Sequence, residues 1–279
     1  MSKRFFLGIF AILSIWAVAR FCHHQTKGFR LSKLQNNTTC LSQPSPPLPN
    51  DLRNVLGQKF RFFGRGLQSF SFVSEDETTI LKLFNNRYQR RISWLRFTPF
   101  QEKISYNQKK WKMAFTSYQI AYDHLRKETG LYYVHPAKST DCPSAVLVDP
   151  LGIEHHIDLN KYGFALQKKA TMAYPYFATC AAASDFEKAK AGFDSLFALL
   201  KGKMERGIED RDPLIRTNFG FLGDRAVQID IGALFYNSSL KSPEKQKEDI
   251  EKISIPLKHW LETHHPQLLP SYYDALQDL

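Results

Sequence analysis

The hydrophobic pattern of this chain changes period part-way along, and that change constrains the fold more than any other feature. Between residues 59 and 84, Phe60, Phe62 and Phe63 lead into Gly64-Arg65-Gly66; Phe70 and Phe72 then alternate with Ser69 and Ser71, and Thr79 to Phe84 form a further apolar run. Period-two alternation, broken by glycine and by Ser74-Glu75-Asp76-Glu77, reads as two or three strands joined by turns. From about residue 184 the spacing is different: Phe186, Ala189, Phe193, Leu196, Phe197, Leu200 and Met204 recur at helical steps. A β-rich first part followed by a helical second part is the signature of an α+β protein.

Between those limits the pattern predicts a long helix, because Trp111, Ala114, Tyr118, Ala121, Tyr122 and Leu125 keep helical spacing up to Gly130, a C-cap glycine. A second β segment follows, with Ser144 to Val148 and Glu154 to Leu159 joined by the turn Asp149-Pro150-Leu151-Gly152. Ser184-Asp185-Phe186-Glu187 has the Ser-x-x-Glu form of a capping box for the next helix, which runs to Gly207. Arg225 to Ile229 reads as a short strand ending in Asp230-Ile231-Gly232. Ser242-Pro243 opens a helix through about Ser254, which Pro256 ends or kinks, and the tail beyond Pro266 reads as a short packed helix.

The N-terminus has its own character. Lys3 and Arg4 precede an uncharged run from Phe5 to Ala19, closed by Arg20 and Cys22. This is short for a comfortable transmembrane helix, and Ala17-Val18-Ala19 has the form of a signal cleavage site. Signal anchor, cleaved signal peptide and a buried N-terminal helix all stay open over residues 1–26, and the side of the membrane is undetermined because basic residues flank the run at both ends. Residues 27–50, rich in Asn, Ser and Pro, read as a linker, so that folding is expected to begin near residue 50.

A chain of 279 residues with 43% hydrophobic and 23% charged residues is long enough for one bilobal domain, and it fits neither wholesale disorder nor a multi-span membrane protein. The net charge of +11 comes from scattered cations such as Arg87, Arg90, Arg91, Lys109, Lys110 and Lys112. With no DNA- or RNA-binding motif, nucleic acid is not an expected partner. Cys22, Cys40, Cys142 and Cys180 lack metal-ligand spacing, and any of the last three could pair in an exported chain. His155-His156 would point to opposite faces of a strand, and no Gly-x-Ser-x-Gly or His-Glu-x-x-His anchors a hydrolase.

Four short signatures remain, in a fixed order: Gly64-x-Gly66 in a hairpin, Lys82 in Thr79-Ile80-Leu81-Lys82-Leu83-Phe84, Asn218 in Asn218-Phe219-Gly220, and Asp230 in Asp230-Ile231-Gly232. In this order the segment from about 55 to 236 resembles the protein kinase-like superfamily, in a divergent form nearer to its atypical and bacterial members. The resemblance implies a bilobal fold, with a β-rich N-lobe over 51–165 carrying one long helix, and a mainly helical C-lobe over 166–279. It implies that Gly64 and Gly66 let backbone N–H groups approach phosphate, that Lys82 holds the ATP phosphates, and that Asn218 and Asp230 hold Mg2+. Ser69 stands where the family has a third glycine. A glutamate to orient Lys82 is unmarked; Glu102 is at a plausible distance, with Asp123 and Glu128 further along. The catalytic base departs from the pattern, since the family's His-Arg-Asp-x-x-x-x-Asn spacing falls on Pro213. Asp212, one residue earlier, is the candidate base, because reach rather than spacing defines a general base.

The partners implied are a nucleotide, the membrane through the N-terminal segment, and an unidentified protein or small-molecule acceptor. Three readings stay open: a phosphotransferase, a pseudokinase serving as a membrane-tethered binding module, and an unrelated α+β protein in which the signatures coincide.

Overall fold

A computed structural model describes residues 3–36, 45–237 and 242–279. The chain is mixed α+β, with a seven-stranded sheet, a helical part and an N-terminal apolar helix. It divides into two compact units, residues 1–90 with 135–164 and residues 91–134 with 165–279. The division cuts across the expected lobes, because the segment containing the long central helix groups with the second unit.

Helix α1 (Lys3–Gln25) is longer than the uncharged run alone suggests, and its stretch Phe6–Gln25 is long and apolar enough to cross a membrane or to act as a signal sequence. Gly28, at φ +76°, ends it: its N–H bonds back to His23 O, and the chain turns inward to place Phe29. The Phe29 ring sits 5.3 Å from Phe70 and 5.3 Å from Phe72 by ring centroid, and burying it contributes about 2 kcal/mol. The expected linker is therefore packed wherever it is described. Leu34 bridges to Asn85, Asn36 bridges to Tyr162, Ser45 Oγ donates to Ala137 O, and Leu48 N–H donates to the Asp141 carboxylate. Phe29, Leu34 and Leu48 supply apolar anchors among polar residues that carry no period.

After α2 (Asn50–Leu56) come β1 (Lys59–Arg65), β2 (Ser69–Ser74) and β3 (Thr79–Phe84), the expected three strands. They form an antiparallel meander with an irregularity between Phe62 and Gly64. Helix α3 (Arg87–Leu95) follows, then α4 (Gln101–His124), the expected long helix, and α5 (Arg126–Thr129), capped by Gly130 at φ +63°. Strand β4 (Leu131–His135) precedes the hairpin of β5 (Ser144–Val148) and β6 (Glu154–Asp158), and β7 (Phe164–Lys168) leads out of it. Within the first unit β5 pairs in parallel with β1 and antiparallel with β6.

The second unit continues with β8 (Thr171–Met172), α6 (Ala173–Ala182) and α7 (Phe186–Glu205). Ser184, at φ +52°, ends α6 in the left-handed region, and its place as cap of α7 is taken by Asp185, whose carboxylate accepts from Lys188 N–H. The apolar stripe of α7 is the centre of the core: Phe177 stacks on Phe193 at 4.1 Å, and Tyr272 meets Phe193 and Phe197 edge-on. After α7 come β9 (Ile208–Asp210), the single turn α8 (Ile215–Asn218), the hairpin of β10 (Phe219–Leu222) and β11 (Arg225–Gln228), and β12 (Leu234–Tyr236), which pairs with β9. Helix α9 (Pro243–His264) continues past Pro256 rather than ending there. Ile250, Leu257 and Leu261 are fully buried on both sides of the proline, so packing holds the helix across the missing hydrogen bond. Helix α10 (Leu269–Gln277) closes the chain, as expected of the tail.

Candidate functional site

The candidate residues of the first unit lie on the β1–β2–β3 meander. In its register Gly64 stands opposite Ser71, and Ser71 stands opposite Lys82. Directly opposed residues in antiparallel strands share a face, so Gly64, Ser71 and Lys82 form one row across the sheet. The same register sets Phe62, Phe72 and Leu81 together with Arg65, Phe70 and Leu83 on the other face. Phe29 packs against Phe62, Phe70 and Phe72, so the segment behind α1 covers the face away from Lys82. Lys82 is 7% exposed, at the middle of a wholly buried strand.

Neither glycine of the hairpin is demanded by the chain's own packing. A Cβ at Gly64 would meet no atom within 4 Å, and one at Gly66 would meet Ser69 O at an ordinary 3.6 Å. Gly220 is the opposite case, since a Cβ there would lie 2.5 Å from Thr171 O and 2.7 Å from Ile229 Cδ1 where β10 crosses β8. Ser69, at the third-glycine position, opens β2 and accepts the Gly66 N–H through its carbonyl.

The remaining candidates belong to the second unit, at the base of the β10–β11 hairpin. Phe219 pairs with Gln228, so Asn218 and Ile229 meet just outside the ladder, and Asn218 O accepts the N–H of Ile229 at 2.7 Å and of Asp230 at 3.3 Å. The Asn218 side-chain NH2 donates to Asp212 O, which leaves its carbonyl oxygen as the acceptor available to a cation. Asp230 is exposed, and its Oδ1 accepts from Gly232 N–H, the turn that an Asp-x-Gly forms locally. Asp212 is exposed as well. The single turn α8 ends at Asn218, and the hydrogen bond from its side chain to Asp212 O closes the loop between them.

Beneath this loop is a polar cluster with no motif to announce it. The Asp210 carboxylate accepts from Asp212 N–H at 2.9 Å and from the Gln228 side chain. Gln228, fully buried, also donates to Asp230 O at 2.8 Å and accepts from Lys203 Nζ. Lys203 is 3% exposed, with its ammonium 5.1 Å from the Phe219 ring centroid. Burial pushes Lys203 down to about 8, against the pull of Asp210. Burial pushes Asp210 up from the ordinary carboxylate value, opposed by the Asp212 N–H, Lys203 and Gln228. A second tie comes from α4, where buried Ser117 donates to Ile231 O and accepts from Leu234 N–H, fixing the segment after Asp230. Two signals in the sequence foreshadow these residues: Lys203 interrupts the apolar stripe of α7, and Gln228 interrupts the apolar run of β11.

Among the proposed partners of Lys82, Glu102 is exposed in the first turn of α4, Asp123 accepts from Gln119, and Glu128 is ion-paired with Arg206. No group of three or more His, Cys, Asp or Glu side chains among the described residues is arranged to hold a metal. Cys22 is an exposed thiol and Cys180 a buried one, Cys142 is buried, and Cys40 lies outside the described residues.

No protein-family profile and no curated protein matches the sequence. Among solved structures, the bifunctional kinase-methyltransferase WbdD is similar at 15% identity with a TM-score of 0.34, covering 75% of this chain and 43% of that one. Rv3197 from Mycobacterium tuberculosis, solved with erythromycin, is similar at 15% identity with a TM-score of 0.35, covering 81% of this chain and 60% of that one. The chain thus spans less than two thirds of either neighbour.

Proposed function

We propose that the chain is a membrane-anchored, kinase-like protein that binds ATP with Mg2+ and transfers its γ-phosphoryl group to a hydroxyl acceptor. The observation that carries this reading is the hairpin base, where Asn218 and Asp230 are joined through backbone hydrogen bonds and Asn218 is tied in turn to Asp212. Two hard oxygen donors side by side suit Mg2+, which completes its shell with water and phosphate oxygens. Mg2+ bound there supplies positive charge against the phosphates. The row Gly64–Ser71–Lys82 supports the same reading, since it sets an ammonium on the sheet face where Gly64 leaves the backbone uncovered. In the transfer, the acceptor oxygen forms a bond to the γ-phosphorus, the bond from that phosphorus to the bridging oxygen breaks, and ADP leaves. Asp212 takes the acceptor's proton. Positioning and electrostatics carry most of such a rate enhancement.

A second reading, a nucleotide-binding pseudokinase used as a tethered module, is favoured by one specific observation. Asp212 stands off the family's spacing, and it is its carbonyl, through Asn218, that is held in place while its carboxylate faces solvent. Thermal unfolding of the full chain with ATP and Mg2+, beside Lys82→Ala and Asp230→Ala, tests both. The expected result is an Mg2+-dependent rise in Tm that each substitution removes while the fold is kept. Absence of any such rise in the parent chain would end the nucleotide reading, whereas binding without phosphate transfer to any offered hydroxyl selects the pseudokinase.

A further inference from the structure

The five cations Lys27, Arg30, Lys33, Arg65 and Arg90 belong to the first unit and gather where α1 ends. Lys27, Arg30, Arg65 and Arg90 are exposed, and Lys33 is partly buried with its ammonium on Gly28 O at 2.6 Å. The Arg65 guanidinium lies over the Gly28 turn. Burial first, and then Arg30, Arg65 and Arg90, hold Lys33 below the ordinary lysine value, so these charges feel one another. Among the described residues none of the five is ion-paired with a carboxylate. A cluster of like charge without counterions costs folding energy, which an anionic partner would return.

We propose that this basic cluster is a docking surface for anionic phospholipid headgroups. It rests on the reading of α1 as a membrane anchor and goes beyond it, because it assigns a face of the folded unit to the bilayer. Three features select a lipid surface over other anions. The cluster is continuous with the end of a helix apolar enough to span. It is assembled from the turn, the following segment, the hairpin and α3, so four parts of the unit contribute charge to it. It lies behind the sheet, on the side where Phe29 and Arg65 pack, away from the face that carries Lys82. Juxtamembrane cations are attracted to an anionic leaflet, and the attraction is screened by salt.

The test uses the full chain in phosphatidylcholine nanodiscs and in nanodiscs with about 30% phosphatidylserine, followed by amide hydrogen exchange. The expected result is several-fold slower exchange over residues 26–36 and 59–66 with phosphatidylserine, lost at high salt. Lys27→Gln/Arg30→Gln/Lys33→Gln should lose this slowing, and charge-matched Lys109→Gln/Lys110→Gln/Lys112→Gln should keep it. Because Lys33 also ties the Gly28 turn, Arg30→Gln/Arg65→Gln/Arg90→Gln provides a second variant with that tie intact. Equal exchange in both discs overturns the proposal, as does equal slowing by inorganic phosphate or by a DNA oligonucleotide added to phosphatidylcholine discs. A chain that fails to co-elute with any nanodisc removes the anchor itself, an outcome distinct from insertion without lipid preference.

Discussion

The glycine–lysine row of the first unit and the Asn–Asp hairpin of the second are built by different means. In the row, regular strand pairing aligns Gly64, Ser71 and Lys82, and hydrogen bonding to those side chains is not needed to explain their alignment. At the hairpin base, placement depends on a buried chain of polar contacts that runs from Lys203 through Gln228 to Asp210 and the Asp230 carbonyl. A row set by pairing tolerates loss of a side chain, because the backbone ladder survives it. A position set by buried polar partners does not, because removing one partner strands the others away from water.

That contrast can be broken most forcefully at Lys203. Lys203→Met leaves the Gln228 oxygen and the Asp210 charge without their cation, and should cost about 3 kcal/mol in urea unfolding. The same variant carries a pH signature. Because burial lowers Lys203 to about 8 from its ordinary 10.5, the unfolded chain holds the extra proton between those values, and stability should rise with pH across that window. Urea midpoints at several pH values should show this slope in the parent and not in Lys203→Met; a slope of equal size in both would show that Lys203 is not its source.

Next in size is Gly220→Ala, where the added methyl runs into the β8 backbone; we expect a loss of about 2 kcal/mol, and an unchanged Tm would mean the strands separate freely there. Gln228→Leu keeps the volume but cuts the link to the Asp230 carbonyl. It should cost about 1–2 kcal/mol and, under the proposed function, weaken Mg2+-dependent nucleotide binding. A stability loss with binding intact would make Gln228 a purely structural residue. The smallest effect should be that of Gly64→Ala, with stability inside about 0.5 kcal/mol of the parent and nucleotide affinity several-fold lower. Unaltered affinity would leave that glycine without a role.

The same contrast governs what the sequence discloses. Strand alternation and turn residues announced the β1–β3 meander, and the three-four spacing announced α4 and α7, because backbone periodicity is written in neighbouring residues. The backbone hydrogen bond between Asn218 and Asp230 has the same source, since a short hairpin joins them. Lys203, Asp210 and Gln228 come from three different elements, α7, β9 and β11, in no shared period or motif, and only packing makes them neighbours. The packing of the stretch before residue 50 is not written in a pattern, because its anchors Phe29, Leu34 and Leu48 are spaced too irregularly to give a period, yet each is buried. At Pro256 the local rule gave way to burial of the leucines beyond it.

The turn at Gly28 ties together two positions that no pattern connects. A side chain at 28 would be strained by its φ of +76° and would run into the Arg65 guanidinium and the His23 ring. Arg65 is the residue between Gly64 and Gly66. In any lineage of such chains, positions 28 and 65 are therefore expected to drift together: a chain that gives up glycine at 28 must also shorten or redirect residue 65. Change at the end of α1 would thus be read in the β1–β2 hairpin.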